Sequence, residues 1–426
     1  MTRPGRLFMD VSYTRTQHVS VGITRTVRRL EEELRQVHVM GGGEFSAVSF
    51  HSSGFRTTSL LAARTPLRSG QDKPAARLFR WITGAFFRKV VVIALLLPWP
   101  IVRRLWSSTS KWTFNFLSRT ESAVVFAPGD FLFLCDASWN YPVWISASRA
   151  RSQGATVVLL MYDLIPLRHP QFCFPLVPHI FRLWLERMLP TADAVVSISG
   201  ATEQDLRRFA WETETLLPPA GNFRLGSDPV RAAAGGPVRS ALEQFLTGGV
   251  PCFAAIGSFE PKKNYGFLLD VFEGLWGRGV DVRLLIIGRE SAESHELVNR
   301  VRLHPKQGQR LLTLFDADDA EVSFAYVNCR ALVFPSLAEG FGLPLVEART
   351  RGCRVIASSL PAFVELADAG VHIYQEGSHA GLAALIVQHA AKDMRGQVPP
   401  MDSFTWQDSA RQCLQLANRL AQGAAP

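Results

Sequence analysis

Along the chain, short runs rich in Val, Ile, Leu and Phe alternate with longer stretches in which apolar positions return every three or four residues. The short runs are Leu7–Met9, Phe131–Cys135, Thr156–Met161, Ala194–Ile198, Cys252–Ile256, Arg283–Ile287, Ala331–Phe334 and Arg354–Ala357. Runs of this length predict strands, and most lead through a polar or glycine-containing turn into a stretch of helical period. Strand, turn and helix repeated in this way predict helical crossovers between parallel strands. The chain therefore reads as an α/β protein of two Rossmann-like, doubly wound domains.

A stretch dense in Pro and Gly, Pro218–Pro251, interrupts the pattern and marks a linker. The expected first domain is 1–222, with an insertion at about 53–122. A linker over 223–249 leads to a second domain over 250–400, and a terminal helix within 401–426 completes the first domain. That helix shows in the spacing of Trp406, Ala410, Cys413, Leu414, Ala417 and Leu420.

Composition changes the picture in one place. With 426 residues, 47% apolar and 19% charged, the chain has material for more than one core, which excludes a disordered protein and a small disulfide scaffold. The net charge of +9 is local: between Arg56 and Trp112 stand eleven basic residues and one acid, Asp72, so the rest is near neutral. Inside this segment, Val90–Val102 is thirteen apolar residues bracketed by Arg88, Lys89, Arg103 and Arg104. As a helix it would reach roughly 20 Å, short of the ~30 Å hydrocarbon core, and Pro98 and Pro100 break it. With Trp81, Trp99, Trp106 and Trp112 alongside, residues 77–112 are expected to dock on an anionic membrane surface, the alternative being cover for the first domain's core or a partner subunit. Aliphatic residues interleaved with the cations argue against a nucleic-acid groove. The six cysteines lie without C-x-x-C spacing, which argues against structural zinc, and the N-terminus has no signal-peptide apolar region. A cytoplasmic protein, peripheral on the inner face of the membrane, is the expectation.

The chemistry concentrates in two strings. In VFPSLAEGFGLPLVEA (333–348) a strand gives way to a loop holding Glu339, with Gly340 and Gly342 before Pro344, a good opening residue for a helix. The unpaired amides around Gly342 and Leu343 would suit a diphosphate. Glu339 before the helix and Glu347 in its first turn would repel phosphates but can accept hydrogen bonds from hydroxyls on either side, as in a nucleotide-sugar. For Glu347 alone, stabilisation of the helix macrodipole is the plainer reading. In AIGSFEPKKN (255–264), Gly257 ends a strand and Lys262 and Lys263 follow, where a lysine can neutralise a leaving diphosphate; a solvated turn is the plain alternative. The one D-x-D string, Asp316–Asp318, precedes a helical stretch, where N-capping outweighs metal binding.

EGFGLPLVE, preceded by GSFEPKKN and followed by GCRVIASSLPAFVE, resembles the retaining nucleotide-sugar transferases of glycosyltransferase family 4, which have the GT-B fold. MDVSYTRTQHVSVGITRTVRRL, MYDLIPLRHP, ADAVVSISGATEQDL and FTWQDSA are similar to other segments of that family, so the resemblance spans most of the chain outside about 53–122. It implies that Glu339 contacts the donor sugar, Glu347 its ribose, and Lys263 with the Gly342–Leu343 amides the diphosphate. The implied donor site also takes in Gly257, Ser258, Lys262, Asn264, Gly288, Arg289, Gly340 and Phe341. Relatives place Arg where this chain has Ser258 or Phe259, which makes Lys262 the substitute second cation. The acceptor side would include Gly22, Asp163 and His169, with Asp163 at the catalytic centre beside Glu339 and Lys263 and with Tyr162 standing where His is common.

The implied reaction is transfer of a hexose with retention, without a metal or cofactor, to a lipid-linked or growing polysaccharide acceptor. The resemblance is to polysaccharide-assembly mannosyltransferases, with GDP-mannose preferred and a UDP-hexose fitting the same motif. The alternatives are a nucleotide-sugar epimerase of the same architecture and a non-catalytic protein that binds anionic surfaces.

Overall fold

The computed structural model describes residues 5–17, 22–51, 54–60, 122–227, 237–291, 293–391 and 398–423. The 77–112 segment expected to meet a membrane lies outside the described residues. Among the described residues no helix is long and apolar enough to cross a membrane.

In chain order the elements are β1 (Leu7–Asp10), α1 (Ile23–Met40), β2 (Phe45–His51), β3 (Gly54–Thr57), β4 (Phe131–Leu134), α2 (Trp144–Ser152), β5 (Thr156–Met161), α3 (Ile165–Arg168), α4 (Val177–Met188), β6 (Ala194–Ser197), α5 (Gly200–Glu212) and β7 (Ala220–Asn222). Then come α6 (Ser240–Thr247), β8 (Cys252–Ile256), α7 (Tyr265–Gly277), β9 (Arg283–Ile287), α8 (His295–Arg302), β10 (Leu311–Leu314), α9 (Asp319–Asn328), β11 (Ala331–Phe334), α10 (Leu343–Thr350), β12 (Val355–Ser358), α11 (Pro361–Glu365), β13 (Val371–Tyr374), α12 (His379–Ala391) and α13 (Trp406–Ala421). The strands form two sheets, of seven and six strands. Contacts divide the chain into two compact units, Met1–Glu31 with Gly41–Thr156, and Glu32–Met40 with Val157–Pro426.

In the first unit, β1 lies between parallel partners, Leu7 opposite Phe45 of β2 and Phe131 of β4. Every residue of β1 is buried, three apolar ones and then Asp10 at the carboxyl end. β3 pairs antiparallel with β2. Neither strand was expected, because Ser46, Ser49 and His51 break the apolar run that marks the other strands.

The second unit holds β5, β6 and β7 in parallel register and the six-stranded sheet, order β10-β9-β8-β11-β12-β13 with every pair parallel. From β8 the chain runs outward to β9 and β10, returns to β11 on the other side, and runs outward again. The order therefore reverses between β8 and β11, and in open parallel sheets the crevice at the carboxyl ends of such a pair is where ligands sit. The two strings singled out in the sequence follow these two strands, β8 into Gly257–Asn264 and β11 into Pro335–Gly342. Behind them Phe253, Phe272, Leu275, Trp276, Ile286 and Ile356 build a buried core that fixes the strands. α13 opens with a capping box between Thr405 and Asp408 and packs against β6 and β7, with Leu416 close over Gly221. β7, β10 and β13 were not expected; each is three or four residues long, and pairing with a neighbour rather than an apolar run defines it.

Candidate active site

The loop after β11 is shaped by two glycines. Gly340 passes so close to the backbone before α3 that an added Cβ would lie 2.1 Å from the Tyr162 carbonyl oxygen. Gly342 sits at φ +102, and a Cβ there would meet the Phe363 ring at 2.8 Å. α10 then opens at Leu343 with Pro344, which has no N–H, in its first turn; the Leu345 amide donates back to the Gly342 carbonyl at 2.9 Å, which leaves the Gly342 and Leu343 amides without an intrahelical acceptor. Phe341 is buried beneath this turn.

Glu339 and Lys263 meet above this loop as an ion pair, each side chain only about a tenth exposed, at 12% and 11%. The Ser336 hydroxyl donates to the same Glu339 oxygen at 3.0 Å, and Ser358 in turn donates to the Ser336 carbonyl at 2.6 Å. Both serines are fully buried, so Glu339 is held from beneath by a chain of hydrogen bonds. The Lys263 ammonium lies 5.3 Å from the centre of the Phe334 ring, within range of a cation–π contact. The short 3-10 turn Pro261–Lys263 and left-handed Asn264 (φ 57) aim that lysine inward and start α7. Gly257 closes β8, and its carbonyl accepts from the Tyr265 hydroxyl at 3.1 Å.

Lys262 points elsewhere, 3.1 Å from Glu260. Burial works against its charge, but the carboxylates of Glu260, Glu339 and Asp163 outweigh burial and leave its pKa raised. Glu260, which also accepts from Ser258, goes the other way: burial pushes its carboxyl up, and Lys262, Ser258 and Lys263 together pull it below its ordinary value. Asp163 accepts from the Ile165 amide at 3.0 Å, and its pKa is raised by burial, against the opposing pull of Lys262. Asp163, Lys262, Glu339 and Glu260 thus share one electrostatic neighbourhood, which brings the Y-D-L-I-P turn together with both switch-point loops.

Other candidates fall differently. Glu347 is the fifth residue of α10 and so lies in its second turn, not the first, because the helix opens only at Leu343. It is buried and accepts from the Tyr326 hydroxyl of α9 at 3.1 Å. His169 caps the end of α3 with its ring stacked 5.9 Å from Phe172. Gly22 precedes α1 at φ +52, with open space where a Cβ would be. Gly288 follows β9, and the Arg289 side chain is exposed, its backbone carbonyl accepting from the Phe259 amide. Asp318 caps α9 in a capping box with Glu321, the role expected of the D-x-D string, while Asp316 pairs with Arg239. Ser336, Ser358 and Tyr326 were missed. They carry no motif of their own and matter only through partners that the fold supplies.

Comparison with known proteins agrees with this layout. The family model described as "Glycosyl transferases group 1" matches residues 243–392. The serotype-specific mannosyltransferase WbdA of Escherichia coli is 27% identical over 295 residues, covering 67% of this chain and 36% of that protein. The chain thus spans about a third of that relative's length. Sucrose-phosphate synthase from Thermosynechococcus elongatus matches in structure with a TM-score of 0.60 at 17% identity, over 99% of this chain and 100% of the other. Anabaena HepE, in complex with UDP, matches with a TM-score of 0.54 at 14% identity, over 98% of each. The architecture, two parallel-sheet Rossmann-like domains, is that of the GT-B glycosyltransferases.

Proposed function

We propose that this chain, whose residues 243–392 match the group 1 glycosyl transferase model, transfers a hexose with retention from a nucleotide-sugar to a growing polysaccharide or lipid-linked glycan. The observation that carries the reading is the nearly buried Lys263–Glu339 pair at the reversal point of the six-stranded sheet, on the loops that lead from β8 and into the Gly342–Leu343 start of α10. One cation and one helix N-terminus suit a diphosphate, and the carboxylate beside them suits a sugar hydroxyl. Departure of the diphosphate, with its developing charge stabilised by Lys263 and the Gly342–Leu343 amides, lets the acceptor hydroxyl attack on the same face, its proton passing to the departing diphosphate oxygen, without a dedicated general base. We assign Asp163 to orienting the acceptor hydroxyl and Glu347, in α10, to reading the donor ribose.

The division of labour we infer is donor on 250–400 and acceptor on 1–222 with the terminal helix, and residues 77–112 hold the protein at the cytosolic face of an anionic membrane. Mannose from GDP-mannose is the preferred donor, in keeping with the name of the WbdA relative. The UDP in the HepE structure makes a UDP-hexose the second reading. Transfer of radiolabelled sugar to membrane extracts from a panel of GDP- and UDP-sugars decides between them. Glu339→Ala and Lys263→Ala should each reduce turnover at least about tenfold, roughly 1.4 kcal/mol of transition-state stabilisation. Wild-type rates in both folded variants would remove the site assignment, and donor turnover without transfer would turn the reading towards an epimerase.

A further inference from the structure

The head of α5 holds the donor loop in place through its side chains. Ser199, the N-cap, accepts from the Thr202 amide at 3.0 Å and donates its own proton to the Gly340 carbonyl at 2.6 Å. The Thr202 hydroxyl lies 3.2 Å from two carbonyl oxygens, those of Tyr162 and Gly340. Both side chains are buried. Tyr162 is the residue before Asp163, and Gly340 is the residue after Glu339. A single hydroxyl therefore bridges the backbones that carry the two carboxylates of the candidate site. From α11, Glu365 spans the Gly200 and Ala201 amides at 3.0 and 3.1 Å and fixes the α5 terminus from outside. Gly340 lets the strands of this knot approach, since any side chain there would strike the Tyr162 carbonyl.

We propose that Ser199 and Thr202, steadied by Glu365, are positioning residues that set Glu339 against Asp163. The proposal rests on the transferase reading above for its catalytic consequence but not for its geometry. The diphosphate end of the loop has its own anchor, because Gly342 packs on Phe363, whose ring stands 4.6 Å from that of Phe334. Loss of the two hydroxyls should therefore disturb the sugar end of the site and spare the nucleotide end.

The test uses the full chain with Ser199→Ala/Thr202→Val, which removes both hydroxyls and keeps nearly the same volume. With the nucleotide-sugar that gives turnover, kcat should fall at least about tenfold while the Kd for the matching free nucleoside diphosphate stays within about threefold, and Thr202→Ser alone should stay near wild type. Backbone amide exchange over 339–342 should be at least about tenfold faster in the double variant, with β8 and β11 unchanged. Turnover within about twofold of wild type in a folded double variant, or kcat and Kd worsening together in step with lost stability, would overturn the proposal. Should no sugar be transferred by the wild-type protein, the transferase reading fails by itself. Exchange over 339–342 then decides the clamp: faster exchange in the variant upholds it and unchanged exchange overturns it.

Discussion

Carboxylates are withdrawn from water in both units of this molecule, and Asp10 with Asp136 in the first is held in the opposite way to Glu260 in the second. In the first unit Asp10 and Asp136 lie at the carboxyl ends of β1 and β4, 0% and 2% exposed. Asp136 accepts from the Tyr13 and Thr14 amides, the Thr14 hydroxyl and the Ala137 amide; Asp10 accepts from the Ser12 amide and hydroxyl, and its Oδ2 has no hydrogen-bond partner among the described residues. Burial, and then the charge of Asp136, pushes the Asp10 carboxyl up to about 7, and burial raises Asp136 as well against its four donors. In the second unit Glu260 is only partly withdrawn from water, its side chain 38% exposed, and against the push of burial Lys262, the Ser258 hydroxyl and Lys263 bring it below its ordinary value. The amides around Asp136 do not outweigh its burial, two lysines and a serine hydroxyl do so for Glu260, and Asp163, where burial outweighs the pull of Lys262, stays raised. The first arrangement suits structure, and the second suits a site that must meet a charged ligand.

The largest effect expected from this contrast comes from removing the cation. Lys263→Met leaves Glu339 nearly buried, with the Ser336 hydroxyl as its hydrogen-bond partner among the described residues and Lys262 as the remaining nearby cation, and breaking such a pair on one side costs about 3 kcal/mol. Chemical denaturation of the second unit's transition should show that loss, and Lys263→Met/Glu339→Gln should recover more than half of it. A single-variant loss below about 1 kcal/mol would show that the pair is solvated and that the two units do not differ as argued.

The next effect belongs to the first unit and to pH. Because the folded pKa of Asp10 stands above the unfolded value near 3.9, the protonated form favours the fold. The stability it contributes is fully present below about pH 4 and is lost as pH rises through about 7. Between pH 5 and pH 8 the loss is on the order of 2 to 3 kcal/mol. Asp10→Asn, which cannot ionise and still accepts from Ser12, should flatten this slope and unfold at a higher temperature than wild type at pH 8. A slope unchanged in the variant would mean that Asp10 is already ionised and compensated.

Much of this layout was legible in the sequence, for reasons that differ by region. β5, β8, β9 and β11 were expected at their observed bounds because each is a buried apolar run, opened in β5 and β9 by the half-buried Thr156 and Arg283. Lys263 and Glu339 were legible because glycine and proline around them announce the turns that bring them together. Lys262 could not be resolved from Lys263 by sequence, since neighbouring residues on a 3-10 turn face different ways and only the fold shows Glu260 waiting for one of them. The clamp at Ser199 and Thr202 left a visible trace, an S-x-x-T helix start, but nothing in that trace says that its hydroxyls reach Gly340, 138 residues or more along the chain.

A third way of holding a buried carboxylate gives the smallest and sharpest test. Glu347 accepts from the neutral Tyr326 hydroxyl, and the Arg351 guanidinium lies over the Tyr326 ring at 5.6 Å. Tyr326→Phe keeps the ring and that contact and deletes only the hydroxyl. The loss should be about 1 kcal/mol, the net worth of a hydrogen bond, well below that of the Lys263 variant. If Glu347 reads the donor ribose, the same substitution removes a hydroxyl that orients its carboxylate and should weaken nucleoside diphosphate binding by about threefold without touching kcat. Stability lost with nucleotide affinity intact would leave Glu347 as a structural group of α10, and the ribose would have to be read by another residue of the switch-point loops.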